Sequence, residues 1–563
     1  MGRPLVIRVS LVALAILVAS CDTTVSGPRL PRPQSAGAHT VPTTVPATTT
    51  TIDEGTALAT GCPTPFCLVY HIDRDASWSD GEPVSSADFA NTVGLHHDRG
   101  FEDPVPGYEM VSRVDVIDER TFRVVFTERF GAWQTLFDRV LRTGSGGDVT
   151  AGVGTTGPFT LVEWVRGDHM VLRRNPDWWS PTDPLSAGAL GDVEELRIVF
   201  IRDLDEAVTA LEEGEVDVIT ARPDDASVER LAGIEGITFA TIPGPFWEHI
   251  DFHHDDPFLS QPWAREMLSL AIDREKILDR TIRLVDPGAT ALDNTIWMAN
   301  THHYEPHYVD GFDPAAAEQM LIDNGCVRDE GGIYVCQGRR MSFLWATTGD
   351  DPDRRQIFES AREDLAVVGV ELVADFRTPS AFVTRDFLFG GPDVWQLINF
   401  SWRARSDPGA TNATYYCDDA GDLNVNRYCS TEVEDLIRST EEIIEPSGRA
   451  AVYNRADRLY LQDHAVIPLY QKPSLMAWGS GISGPAPNFS FSSDLWNVAS
   501  WTGKESIVVA LPDEPLDLDP RSQADDNANV VLGAILYGAF GMDPSHRYVP
   551  VLIESVDVIE GSG

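Results

Sequence analysis

Three groups of side chains carry the chemistry that this sequence could perform. The first is cysteine. Seven cysteines occur in 563 residues, and six of them, Cys62, Cys67, Cys326, Cys336, Cys417 and Cys429, fall into three pairs close in sequence. An even number in an exported chain points to disulfides. Local pairing is the simplest arrangement, although spacing alone leaves the other connectivities open. The Cys-x2-Cys knuckles of a structural zinc site are absent. The second group is histidine with carboxylate. His249, Asp251 and His253 alternate along a strand-like run and so share one face, and imidazole with carboxylate suits nickel or zinc. The same run also reads as a purely structural strand. His302, His303 and His307 stand in a Pro-containing loop and read as surface, because adjacent histidines do not fix a ligand geometry. The third group is the nucleophiles, and here the motifs are missing. There is no Gly-x-Ser-x-Gly elbow, no phosphate loop ending in Gly-Lys-Ser/Thr and no His-Glu-x-x-His. A hydrolase therefore has nothing to work with. No enzyme activity and no cofactor are expected.

The elements that must position these residues are mixed. Leu196 to Ile201 reads as a strand and Asp203 to Glu213 as a helix. The helical Arg355 to Val367 precedes the strand-like Glu371-Leu372-Val373. Gly-Pro pairs at 157–158 and 244–245 punctuate the connections. The length exceeds what one core supports, so two or three α/β lobes are expected. The formal net charge of −44 would repel phosphate backbones, which excludes nucleic acid as a partner. Only three lysines occur, Lys276, Lys472 and Lys504.

The N-terminus reads as an export signal. Arg3 and Arg8 precede an apolar run, Leu11 to Val18, that is too short to span a membrane. Val18-Ala19-Ser20-Cys21 resembles a bacterial lipobox, with Cys21 as the lipidated thiol. The following stretch to residue 59 is rich in Thr, Pro, Ser and Ala, lacks apolar periodicity and is expected to be a disordered tether.

Several blocks together resemble the bacterial extracellular solute-binding proteins of family 5, the peptide/nickel class. They are Trp78-Ser79-Asp80-Gly81-Glu82-Pro83-Val84 with Ala87-Asp88-Phe89, then Gly157-Pro158-Phe159 with Arg174-Asn175-Pro176-Asp177-Trp178-Trp179. Ala210-Leu211-Glu212-Glu213-Gly214, Ala271-Ile272-Asp273-Arg274-Glu275-Lys276 and Ile467-Pro468-Leu469-Tyr470 follow in order. The first block reads physically as a turn at Asp80-Gly81 with Ser85 or Ser86 capping a helix. The resemblance implies an α/β, two-lobed periplasmic-binding-protein-like (type II) fold with an extra subdomain and a ligand cleft between the lobes. The family's opening strand, Leu-Asp-Pro turn and helix do not precede Cys62. Their counterparts, Ile507 to Leu511, Leu518-Asp519-Pro520 and Ala528 to Leu536, come at the other end. The order therefore reads as a circular permutation, cut in a hairpin between strands near Ile559 and Leu68. A remnant of a tandem duplication is the competing account.

The expected organisation is a lipoprotein signal peptide (1–20), a tether (21–59), a first lobe with subdomain (60–248) and a second lobe (249–478). Residues 479–563 complete the first lobe and contain the displaced segment 504–563. The cleft candidates are Trp402, Arg405 and Asp407 in Asn399 to Pro408, Trp247 beside Gly244-Pro245-Phe246, and Asp525 with Asn527 after the Leu-Asp-Pro turn. In peptide-binding members an Asp stands three positions after the Trp. Arg405 stands there in this chain, which favours a carboxylate or phosphate over an ammonium group, while Asp407 remains a possible anion. The resemblance implies a monomeric, lipid-anchored extracytoplasmic protein that carries a peptide or other small molecule to ABC permease subunits. Uptake of a metal or metal chelate and a degenerate surface sensor are the alternatives.

Overall fold

The computed structural model describes residues 48–51, 61–98, 106–145, 149, 154–417, 423–488, 494–520 and 526–561. The signal peptide, Cys21, most of the tether and Asp525 lie outside the described residues. Thr48–Thr51, expected within the disordered tether, instead form a strand that pairs in parallel with Val111–Val116.

A ten-stranded sheet is the spine of the molecule. Its two central strands, Ile237–Phe252 and Val466–Gly479, are the longest in the chain and pair antiparallel along their length, with irregularities at Pro468/Tyr470 and Gln471/Pro473. Two prolines in one strand remove ladder donors, which explains why the register slips beside them. These strands join two separate apolar cores. Phe66, Tyr70, Trp78, Ile507, Leu532 and Ile553 belong to the first, and Ile250, Phe252, Trp345, Ile357, Tyr453 and Tyr470 to the second. The lobe boundaries expected near 248 and 478 therefore fall inside the crossover strands.

Local chemistry explains the first lobe's entry. Gly81 takes a φ of 83° and closes the Trp78–Glu82 turn, a conformation that glycine adopts without cost. Asp88 then accepts from the Ser85 backbone N–H at 2.8 Å, capping the helix Ser86–His97, and from the buried Trp78 indole at 3.3 Å. The turn, cap and core residue thus form one unit.

The C-terminal segment is built into this lobe. Ser506–Leu511 lies between Val218–Ala221 and Glu195–Phe200, parallel to both. Ile507, Val509 and Leu511 are buried there. The helix Asp526–Ile535 ends against residues 156–157, whose two N–H groups donate to Ile535 O at 3.1 and 2.9 Å. A Cβ on Gly157 would stand 2.5 Å from Ala534 O, so only glycine permits this approach. Ile553–Glu560 pairs antiparallel with Phe66–Ile72, in register from Phe66–Glu560 to Tyr70–Val556, and Gly561 N donates to Pro65 O at 3.1 Å. The two ends of the globular chain meet side by side at the edge of a five-stranded sheet.

Three disulfides, Cys62–Cys67, Cys326–Cys336 and Cys417–Cys429, are formed. The local pairing holds at all three.

Candidate functional site

The crossover strand Ile237–Phe252 has two faces. Trp247, His249 and Asp251 point one way and line a cavity. Glu248, Ile250 and Phe252 point the other way, the last two into the second core. The neighbouring strand Leu397–Arg403 runs antiparallel, with Trp402 opposite Trp247, Phe400 opposite His249 and Ile398 opposite Asp251. Period-two alternation therefore places both tryptophans on the cavity side.

The cavity is polar at its two ends. Asp251 marks one end of the strand pair. Arg403 and Arg405, which also line the cavity, follow Trp402 at the other, Arg403 standing five residues beyond the partner of Asp251, about 16 Å along the strand at ~3.3 Å per residue. Tyr415, Tyr460 and Met298 complete the walls. Trp402, Arg405 and Trp247 thus line one cavity.

Other expected residues are placed differently. Asp407 is held by both guanidinium nitrogens of Arg449, at 2.5 and 2.7 Å, and accepts from Gly409 N at 2.8 Å. Three hydrogen bonds from within the chain hold this carboxylate, and it is not among the residues lining the cavity. Asn527 does not line the cavity, but its neighbour Asp526 pairs with Arg403 across the cleft at 2.7 Å. His253 leaves the shared face because the strand stops at Phe252. Its Nε2–H donates to Gly390 O at 2.9 Å and its ring packs on Trp395. His307 is tied to Asp457 at 2.7 Å. Among the described residues no group of three or more His, Cys, Asp or Glu is arranged to hold a metal.

Behind the cavity lies a buried charge network that sequence reading missed. Glu248 accepts from Arg354 at 3.1 Å, Lys472 at 2.8 Å, Ser401 Oγ at 2.7 Å and Asn399 Nδ2 at 3.0 Å. Lys472 also reaches Asp351 at 2.9 Å. Glu248 and Arg354 are 0% and 1% exposed. Burial alone would raise the Glu248 carboxyl, but Arg354 and Lys472 outweigh it and hold the group below its ordinary range. The network ties both crossover strands to the helix Pro352–Val367.

The lobes touch around the cleft. Gly131 N and the Trp133 indole donate to Glu441 O and Ile444 O at 2.6 and 3.2 Å, and the Tyr548 hydroxyl donates to Ser406 O at 3.2 Å. The His302 ring and backbone N–H both donate to Ser545 O. Burial pushes the adjacent His546 down to about 4. Asp407 and Asp543 oppose the shift, and His302 and His303 add to it. Burial and His302 push His303 down to about 4 against Glu445. Such histidines are neutral when folded, whereas in the unfolded chain they take up protons near their ordinary value of 6.5. Stability is therefore complete above about pH 6.5 and is lost as pH falls towards about 4, by up to about 3 kcal/mol for His546. Thermal midpoints measured between pH 7 and pH 4.5 are expected to fall, and His546→Asn to flatten the slope. An unchanged slope in the variant would contradict this origin.

The chain matches the family described as bacterial extracellular solute-binding proteins, family 5 Middle, over residues 67–422. It is similar to the oligopeptide-binding protein OppA of Mycobacterium tuberculosis, with 25% identity over 440 residues, 73% of this chain and 70% of the relative. The solved structure of the periplasmic EDTA-binding protein EppA aligns with a TM-score of 0.63 at 22% identity, covering 78% of this chain and 85% of that one. The oligopeptide-binding protein AppA of Bacillus subtilis, solved with a nonapeptide, aligns with a TM-score of 0.55 at 18% identity, covering 78% and 88%. The two-lobed architecture is common to them, and the chain belongs to the bacterial extracellular solute-binding proteins of family 5.

Proposed function

We propose that this protein captures a short peptide-like solute between its lobes and delivers it to the membrane subunits of an ABC importer. The observation that carries the reading is the cavity on the crossover strands. It has aromatic walls, an acid at one end and two arginines at the other, which suits a zwitterion about two or three residues long. Similarity to a protein named for oligopeptide binding supports it. The test is thermal unfolding of the soluble part with di- and tripeptides, metal salts and metal chelates, because a ligand of the native state raises the midpoint. Peptides are expected to raise it and Trp402→Ala to abolish the shift. A shift with chelates alone would sink the peptide reading.

The tether and Cys21 support attachment to the outer face of the cell membrane. Cys21→Ala is expected to move the protein from the membrane to the soluble fraction, and an unchanged distribution would refute a lipid anchor. The chain order is read as a circular permutation. The support is the central position of Ser506–Leu511 and the pairing of Ile553–Glu560 with Phe66–Ile72.

A further inference from the structure

His249 is fully buried, and its two ring nitrogens have different surroundings. Nε2 stands 3.2 Å from Asp251 Oδ2. Nδ1 is buried with no hydrogen-bond partner among the described residues, although the residue lines the cavity. A carboxylate only accepts, so with neutral imidazole the proton sits on Nε2 and Nδ1 presents a lone pair. The ring is held between aromatic neighbours. Trp247 lies 4.8 Å away, Trp402 6.1 Å away and nearly parallel, and Phe400 edge-on at 4.4 Å. Asp251 itself is 3% exposed. Its side-chain partners are His249 and Asn426, whose Nδ2 donates to Oδ1 at 3.1 Å. Asn426 in turn donates to the Tyr460 hydroxyl at 2.9 Å.

Two deficits coincide at this end of the cavity. An acceptor has no donor among the described residues, which is costly for a buried polar atom. A buried carboxylate has uncharged amide and imidazole partners, which leaves its charge uncompensated. One kind of ligand group answers both, a cation that also donates hydrogen bonds. A primary ammonium does this, and the faces of Trp247 and Trp402 add attraction for it. A quaternary ammonium would leave Nδ1 unmatched, and a carboxylate would be repelled by Asp251.

We propose that His249, oriented by Asp251, forms a subsite for a primary ammonium group and so selects ligands with a free amino end lying towards Asp251. The assignment replaces Asp407, which Arg449 occupies, and it rests on the peptide reading only for the rest of the ligand.

Calorimetric titration of the full soluble chain tests it with three probes: dipeptides with a free amino terminus, the same dipeptides N-acetylated, and 2-phenylethylamine. Acetylation is expected to weaken binding to the wild type by about 30-fold or more, the worth of a charged, buried hydrogen-bonding contact. In His249→Leu the free and acetylated forms are expected to bind within about threefold of each other, with Asp251→Asn showing the same loss of discrimination. Unliganded melting curves check that both variants fold. If wild type binds both forms equally, or His249→Leu still discriminates, the subsite is wrong while the peptide reading stands. Binding of 2-phenylethylamine that depends on His249, without binding of any peptide, keeps the subsite and removes the peptide reading. If none of the probes binds, both fall.

Discussion

A chain lacking residues 504–563 is expected to give no cooperatively folded protein. Its rejoined counterpart, with 504–561 placed ahead of Cys62 through a short linker and new ends at 503, is expected to fold and bind like the parent. Both outcomes follow from the sheet. Removing Ser506–Leu511 takes out a strand that is hydrogen-bonded on both sides. It leaves two unpaired strand edges where the core was closed, the arrangement that drives aggregation. The same deletion removes Ile507, Val509, Leu532 and Ile553 from the first core. At about 2–5 kcal/mol for each large apolar side chain lost, the four together cost about as much as the whole stability of ordinary domains, about 5–15 kcal/mol. The rejoined chain keeps the sheet pairings of Ser506–Leu511 and Ile553–Glu560, and a short linker suffices because Gly561 already hydrogen-bonds to Pro65. Circular dichroism and calorimetric melting check both. A deletion that melts cooperatively and binds ligand would show that the segment is dispensable and the permutation reading mistaken.

Arg354→Met is expected to lower the unfolding free energy of the unliganded protein by about 3–5 kcal/mol, the cost of leaving a buried charge without its partner. Glu248 would keep Lys472 and lose its guanidinium donor. Glu248 also sits between Trp247 and His249 in the strand, so loosening it disturbs the cavity face and is expected to weaken ligand binding. Replacing Glu248 and Arg354 together by Gln and Met is expected to recover part of the loss, because no uncompensated charge then remains in the interior. Urea denaturation measures both variants. A single-variant loss below about 1 kcal/mol would mean that solvent or local rearrangement already compensates Glu248.

The turn-and-cap unit at Trp78 to Asp88 was legible in the sequence because everything it needs is local. The strand character of Ile507 to Leu511 is legible for the same reason, and the nearest-neighbour cysteine pairing also held. The cavity was only partly legible. Trp247 and Trp402 could be named as candidates, but their face-to-face placement depends on a register between distant strands that no local pattern encodes. Asp407 looked available because its partner Arg449 is 42 residues away. His253 looked like a third ligand because alternation was extended one step past the end of the strand at Phe252. The Glu248–Arg354–Lys472 network was invisible because three chain segments contribute one charge each, and single charges in an acidic sequence carry no signal.

The central claim is that the cleft holds a peptide-like ligand, and native mass spectrometry of the protein purified without denaturation tests it most directly. The predicted result is an adduct with the mass of a short peptide, which yields amino acids on hydrolysis and is lost in Trp402→Ala. A metal chelate in that place, or a bare protein whose melting no peptide alters, would contradict the account.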